Sequence, residues 1–202
     1  MVLAGTPPWH LLARERHALH WTKLKRDAPR GSDAEEEEFM KDEEIQEETL
    51  LRWQEEWESA AFGRWTFQCI PSIRPWIDRK FGELTYFTAQ ALTGHGDFRK
   101  FLFSIKKVDS EICCHCDRNL VDTVQHTILE CPKFDKERQG LPPGSIPELV
   151  SEMLKSEDRW NLISRKFACI LEKKRHLNEM PRPPSQAAQQ AAPTTMQASA
   201  TT

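Results

Sequence analysis

The segment ICCHCDRNLVDTVQHTILEC, residues 112–131, holds four of the six cysteines of this 202-residue chain. Cys113 and Cys116 form a Cys-x-x-Cys pair, nine residues separate Cys116 from His126, and four separate His126 from Cys131. A tight turn can aim the first pair of sulfurs at one centre, and a helical turn presents the second pair of ligands on one side. The spacing therefore predicts that three thiolates and one imidazole enclose a structural zinc ion.

Two other uses of the cysteine cluster stay open on the sequence alone. A disulfide is one, although no signal peptide is predicted and clustered thiols in a reducing compartment are more often metal ligands. A redox Cys-x-x-Cys is the other, although no thioredoxin-like βαβ pattern surrounds it. We interpret Cys114 as a spare thiol or substitute ligand and His115 as an exposed turn residue. We expect the isolated Cys69 and Cys169 to be buried apolar residues.

The composition describes a polar chain with long exposed helices. Hydrophobic residues make up 39% and charged residues 29% of it, and no apolar run approaches the roughly 18 residues needed to span a bilayer. Residues 1–30 carry six basic and two acidic side chains, whereas residues 32–58 carry two basic and thirteen acidic ones. Nucleic acid would be attracted to the first block and repelled by the second, so the net charge of -3 does not decide for or against such a partner.

The spacing of apolar residues and helix breakers predicts a mostly α fold: a helical linker, a small irregular zinc-knuckle module and a disordered C-terminal tail. Leu50, Trp53 and Trp57 step by three and four, which marks the apolar seam of an acidic helix. Pro75 is expected at the first position of a later helix. The predicted segments are a basic N-terminal helix (1–31), an acidic amphipathic helix (32–62), a helical linker with an LTGHG turn (63–111), the zinc knuckle (112–140), C-terminal helices (141–180) and the tail (181–202).

The sequence lacks the common catalytic motifs. It has no P-loop, no dinucleotide-binding glycine pattern, no nucleophile elbow, and no Asp-Asp pair to nucleate a polymerase-type two-metal centre. His95, with Asp97 and His126, admits a nuclease interpretation, but a turn histidine that fixes two helices is favoured. Aromatic and basic residues alternate between 64 and 100, which fits core packing for most of them and a basic groove with stacking aromatics for a subset.

Two longer stretches carry a family resemblance. They read RWTFQCIPSIRPWIDRKFGELTYFTAQALTGHGDFRKFL (64–102) and C-x-x-C…H-x-x-x-x-C-P-K-F (113–134), flanked by LAGTPPWHLLARER (3–16) and ELVSEMLKSEDRWNLI (148–163). The sequence resembles the C-terminal region of the pol polyprotein of non-LTR retrotransposons, in particular insect type-1 retrotransposable elements of the Jockey-like and ribosomal-DNA-inserting groups. The resemblance covers roughly residues 3 to 178.

The resemblance implies a helical linker and zinc knuckle that lie downstream of a reverse transcriptase, an RNA-directed DNA polymerase with an N-terminal endonuclease. Zinc binding is the implied role of the Cys113, Cys116, His126 and Cys131 set, with a basic surface around it for template RNA or target DNA. The polymerase motif and the endonuclease are missing from this chain, which therefore looks like a non-catalytic fragment or remnant. A nuclear destination also follows from the family; secretion is not expected.

We expect RNA or DNA as partner, together with the upstream polymerase region of the same polyprotein, and no membrane. The predicted phosphate contacts are Arg74, Arg79, Lys80, Arg99, Lys100, Lys106 and Lys107. The alternative is a protein-interaction module, in which the acidic helix 33–61 docks a partner through its tryptophan seam and the zinc is purely structural.

Overall fold

The computed structural model describes residues 2–27 and 40–179. Within these ranges the chain is mostly α-helical, which confirms the predicted fold class, and extended pairing there is limited to an antiparallel bridge between Ile112 and Val121. No helix in these ranges is long and apolar enough to cross a membrane. The predicted disordered tail and the start of the predicted acidic helix fall outside the described residues.

The helices, in chain order, are α1 (Trp9–Asp27), α2 (Asp42–Ser59), α3 (Arg64–Cys69), α4 (Ile73–Asp78), α5 (Tyr86–Thr93), α6 (Arg99–Ser104), α7 (Asp135–Arg138), α8 (Ile146–Met153) and α9 (Glu157–Glu179). Short 3-10 turns occupy Val2–Ala4 and Pro132–Phe134, and a π-helical turn occupies His126–Glu130.

The C-terminal helix α9 lines the core with one of its faces. Its apolar residues recur at helical spacing, so that one face is apolar and the opposite face is charged. The apolar face contacts α5, α7 and α8. Its buried apolar side chains are Trp160, Ile163, Phe167, Ile170 and Leu171. Full burial of a large apolar side chain contributes about 1.5–3 kcal/mol, so this face of α9 is a main source of the stability of the fold.

Helices α1 and α2 pair side by side, which brings the basic segment against the acidic one. His10 Nε2 lies 2.8 Å from Glu56 Oε1 at one end of the pair, and Arg26 Nη2 lies 3.1 Å from Asp42 Oδ1 at the other. The two helices therefore run antiparallel, and part of the positive charge of α1 is neutralised within the chain.

The tryptophan seam of α2 packs against the chain's own core. Trp53 is 2% exposed. Trp57 is half-buried and donates its indole N–H to the Ile70 carbonyl at 2.8 Å. In the alternative interpretation a partner docks on this seam. Contacts within the chain already cover most of it.

Helix α4 begins earlier than predicted. Its first residue is Ile73, so Pro75 is the third residue of the helix and not the first. The first turn tolerates this shift because its N–H groups have no intrahelical acceptor, and the N–H that proline lacks is one of them.

After α4 the chain runs without a helix to Thr85, and Gly82 lies in this stretch against Trp160. Gly82 has a φ of +80°, and a Cβ on it would lie 2.3 Å from the indole ring. Only glycine fits this close approach in the left-handed region. The contact presses the stretch after α4 onto the start of α9.

Candidate metal centre

The Cys-x-x-Cys pair lies in a turn that follows the antiparallel bridge. Cys113 donates its backbone N–H to the Leu120 carbonyl at 2.8 Å, which closes the turn. Asn119 has a φ of 54°, in the left-handed region that asparagine tolerates well. The local sequence thereby holds Cys113 and Cys116 on one compact loop.

The second pair of predicted ligands flanks a π-helical turn. The backbone N–H of Cys131 donates to the His126 carbonyl at 2.7 Å, a bond between residues five apart. An ordinary helical turn was predicted here. The wider π turn brings residues five apart closer to one side of the helix than an α-helix does. The two ligand side chains can therefore face one centre.

The four predicted ligands come together in the fold. Their ligand atoms all lie within 4.8 Å of one another. Cys113 Sγ is 3.9 Å from Cys131 Sγ, and Cys116 Sγ is 3.4 Å from His126 Nε2. A tetrahedral zinc ion with bonds of about 2.3 Å to sulfur and about 2.0 Å to nitrogen separates its ligand atoms by about 3.5–3.8 Å. The donor set and its spacing therefore fit a tetrahedral metal ion.

Burial controls the protonation of the thiols. Cys131 is fully buried, His126 is 2% exposed and Cys113 is 5% exposed. Burial is the main cause that raises the pKa of Cys113 to about 12, and burial also raises the pKa of Cys131. Both thiols are therefore neutral without a metal, and a cation that binds must displace their protons. Four protein ligands leave no open coordination position, which suits a structural and not a catalytic metal.

The remaining ring nitrogen of His126 has a carboxylate beside it. His126 Nδ1 is buried, has no hydrogen-bond partner within the described residues, and lies 3.6 Å from Glu130 Oε2. Metal-bound histidines usually donate this second N–H to a carboxylate or carbonyl, which orients the ring. Arg138 supports the same turn, because its guanidinium donates to the Ile128 and Cys131 carbonyls at 2.7 Å each.

The other cysteines are not members of this cluster, and no disulfide joins any of the six, all of which the structure describes. Cys69 is buried, as predicted, whereas Cys169 is exposed because it falls off the buried stripe of α9. The prediction for His115 was also wrong, since its ring is half-buried and its Nε2 lies 2.9 Å from Asn178 Oδ1. Cys114 is exposed, with its Sγ 3.7 Å from that same nitrogen of His115.

Sequence reasoning missed a buried ion pair that ties α9 to this module. Lys174 is 1% exposed, and its Nζ lies 2.6 and 2.8 Å from the two carboxylate oxygens of the fully buried Asp122. Thr127 Oγ1 accepts from Lys174 at 2.7 Å and donates to Asp122 at 2.7 Å, and the Arg99 backbone N–H donates to the other carboxylate oxygen. In the sequence, the one sign of this pair is that Lys174 falls on the apolar stripe of α9.

The predicted phosphate contacts occupy different environments. Arg74 forms an ion pair with Glu47 of α2. Arg79 lies over the Trp76 ring, 3.7 Å from its centroid, and burial lowers the pKa of Arg79. Arg99 is half-buried. The predicted contacts with exposed side chains are Arg74, Lys80, Lys100, Lys106 and Lys107.

The residues of the nuclease interpretation are engaged separately. His95 follows α5 and stacks on Phe101, with ring centroids 4.5 Å apart and planes at 26°. Asp97 is half-buried nearby in the chain. His126 instead faces the cysteines, so these three residues do not share one site.

Comparison with known proteins relates the chain to retrotransposon polyproteins. It is 29% identical over 145 residues to "Retrovirus-related Pol polyprotein from type-1 retrotransposable element R1 3" of Nasonia vitripennis, covering 66% of this chain and 36% of the relative. For the R1 4 element of the same organism the identity is 30% over 151 residues, covering 69% of the chain and 36% of the relative. For the R1 element of Bradysia coprophila it is 28% over 140 residues, covering 66% and 14%.

No family model and no solved structure matches the chain. The aligned stretch spans 36% of the length of two of these relatives and 14% of the third. The similarity nevertheless extends over about two thirds of the chain in all three comparisons. The chain is therefore a relative of the Pol polyproteins of insect type-1 retrotransposable elements of the R1 kind, as the stretches 64–102 and 113–134 predicted.

Proposed function

We propose that this chain is a zinc-stabilised nucleic-acid-binding module that holds template RNA or target DNA and has no polymerase or endonuclease activity of its own. The observation that carries the proposal is the closed cluster of Cys113, Cys116, His126 and Cys131 in a chain related to Pol polyproteins. Residues 112–140 act as the metal module. The upstream polymerase region of such a polyprotein is a second partner, and the nucleus or cytoplasm is where the module acts.

Zinc is the metal that this donor set favours. Three thiolates and one imidazole in tetrahedral spacing are typical of structural zinc sites, whereas calcium and magnesium prefer oxygen ligands. The bound ion supplies folding energy and joins the Cys113–Cys116 loop to the π-helical turn.

Exposed lysines that lie close to this module in the chain support the proposed binding of nucleic acid. Lys100 lies on α6, and Lys106 and Lys107 follow that helix directly before the metal module. Such exposed cations attract phosphates without regard to sequence and release counterions when they bind. The ion pair of Arg74 and the stacking of Arg79 give those two residues structural roles in the fold.

Salt-dependent binding of the full chain tests the function. We expect zinc-loaded protein to bind labelled RNA and DNA in fluorescence anisotropy, with an affinity that falls steeply as salt rises. Lys100→Gln with Lys107→Gln should reduce the salt slope by about one for each phosphate that is no longer bound, for every sequence alike. A matched control is Lys136→Gln with Arg159→Gln, which removes two exposed cations outside the predicted set. An affinity that does not change with salt concentration, or no binding at all, would overturn the proposed function.

A further inference from the structure

A cleft of about 410 Å³ opens beside the metal module. Its walls come from α3, from the turn after α5, from α6, and from residues 123–125, which directly precede the ligand His126. The volume falls in the range of about 300–1,000 Å³ that is usual for small-molecule sites. No residue of this cleft belongs to the four-ligand cluster.

Aromatic rings line the cleft and are held in place. His95 is exposed and stacks on the half-buried Phe101, with ring centroids 4.5 Å apart. Trp65 donates its indole N–H to the Ala91 carbonyl at 2.8 Å. The Trp65 ring also packs closely over Gly94, where an added Cβ would lie 3.2 Å from it. The rings are therefore preorganised, which lowers the entropy cost of binding a ligand.

The charge of the cleft favours an anionic ligand. Its lining includes Lys100, whose side chain is exposed, and contains no aspartate or glutamate. Ser104 and Gln125 add neutral hydrogen-bonding groups to the lining. A flat aromatic surface with a cation beside it is the arrangement that binds the base and the phosphate of a single-stranded nucleotide.

We propose that this cleft takes an unpaired nucleobase, which stacks on the His95–Phe101 pair while Lys100 holds the adjoining phosphate. The inference rests on the proposed function and adds a base-stacking site to the unspecific phosphate contacts. Stacking of this kind accepts any base, so the cleft selects single strands over duplexes and not one sequence over another. RNA and DNA share this chemistry, and both are therefore tested.

The test compares oligonucleotides with and without bases. Zinc-loaded full-length chain is titrated in anisotropy against single strands of about 12 nucleotides, within the range of typical single-strand sites. One strand carries thymines and the other has the same backbone with abasic positions, and a uracil RNA of equal length is run in parallel against its own abasic RNA. We expect the strand with bases to bind more tightly by about 5- to 150-fold for one stacked base.

Variants locate the effect in the cleft. His95→Ala and Phe101→Leu should remove most of the preference for the base-bearing strand and leave binding to the abasic strand unchanged. Phe103→Leu is the matched control, because Phe103 lies on the same helix, is 45% exposed and does not line the cleft. Lys100→Gln should weaken both strands alike. Circular dichroism confirms folding, and His95→Ala, which alters an exposed side chain, decides the question if Phe101→Leu unfolds.

The outcomes separate this inference from the proposed function. Salt-sensitive binding that is equal for both strands, with His95→Ala indistinguishable from wild type, overturns the base site and leaves the function standing. An absence of salt-sensitive binding to any of the strands overturns the function and the base site together. A preference for the base-bearing strand that His95→Ala removes supports both. A preference confined to the RNA strand would assign the cleft to template RNA.

Discussion

Lys174 Nζ lies 2.6 Å from Asp122 Oδ1, and both side chains are almost completely buried. Asp122 belongs to the metal module and Lys174 to α9, so one ion pair joins the small irregular module to the longest helix. Thr127, next to His126 of the cysteine–histidine cluster, completes the network. The metal module is therefore anchored in the core of the helical body.

Removal of the buried positive charge of Lys174 should destabilise the whole fold. Lys174→Met leaves the Asp122 carboxylate buried without its cation, and breaking a buried pair in this way costs about 3–5 kcal/mol. Urea denaturation of the zinc-loaded full chain measures the loss. Lys173→Met is the control, because its neighbouring Lys173–Glu137 pair, at 2.9 Å, is partly exposed and such pairs contribute about 0–1 kcal/mol. Equal losses of unfolding free energy in the two variants would show that the buried ion pair contributes no more stability than the partly exposed one.

The full chain should bind one zinc ion per molecule. Cys116→Ser and His126→Ala should each remove the metal and unfold the module, because metal binding supplies part of the folding free energy. Metal analysis and circular dichroism measure the two effects. Cys114→Ser and Cys169→Ser change exposed thiols outside the cluster and should keep the metal. Zinc loss in Cys114→Ser would instead make Cys114 a ligand.

Glu130 should strengthen zinc binding through His126. Because its carboxylate lies 3.6 Å from His126 Nδ1, it can accept the second ring N–H and orient the ligand nitrogen. Loss of such a partner weakens metal binding by about 10- to 100-fold. Competition with a chromophoric chelator compares Glu130→Ala with Asp117→Ala, an exposed carboxylate of the same module. Glu130→Gln retains an acceptor and should recover part of the affinity, and equal affinities in both alanine variants would refute the role.

Gly82→Ala should destabilise the chain more than a matched glycine change. At Gly82 the added methyl group meets the Trp160 ring, whereas at Gly140 the nearest atom is 3.9 Å away on the Lys166 side chain. Both glycines have nearly the same φ, +80° and +81°, so backbone strain cancels in the comparison. The remaining steric clash should cost about 1–3 kcal/mol, measured by chemical denaturation. A difference near zero would show that Trp160 moves aside freely.

Local spacing explains what the sequence predicted well. The helical seam of α2, the apolar stripe of α9 and each of the two pairs of the cysteine cluster, Cys113 with Cys116 and His126 with Cys131, depend on residues a few positions apart. Such patterns are set by the geometry of turns and helices and need no knowledge of distant contacts. The exposed Cys169 shows the limit of this reasoning, because a shift of one position on a helix turns a side chain from core to solvent.

The sequence by itself determined the mostly α fold class, the four members of the cysteine–histidine cluster and the relation to retrotransposon polyproteins. Only the tertiary structure decided that Lys174 pairs with Asp122, that Gly82 packs against Trp160, and that aromatic rings meet in a cleft beside the metal module. Each of these arrangements joins segments far apart in the chain. Their energies depend on burial and mutual distance, which become defined only when the helices have packed.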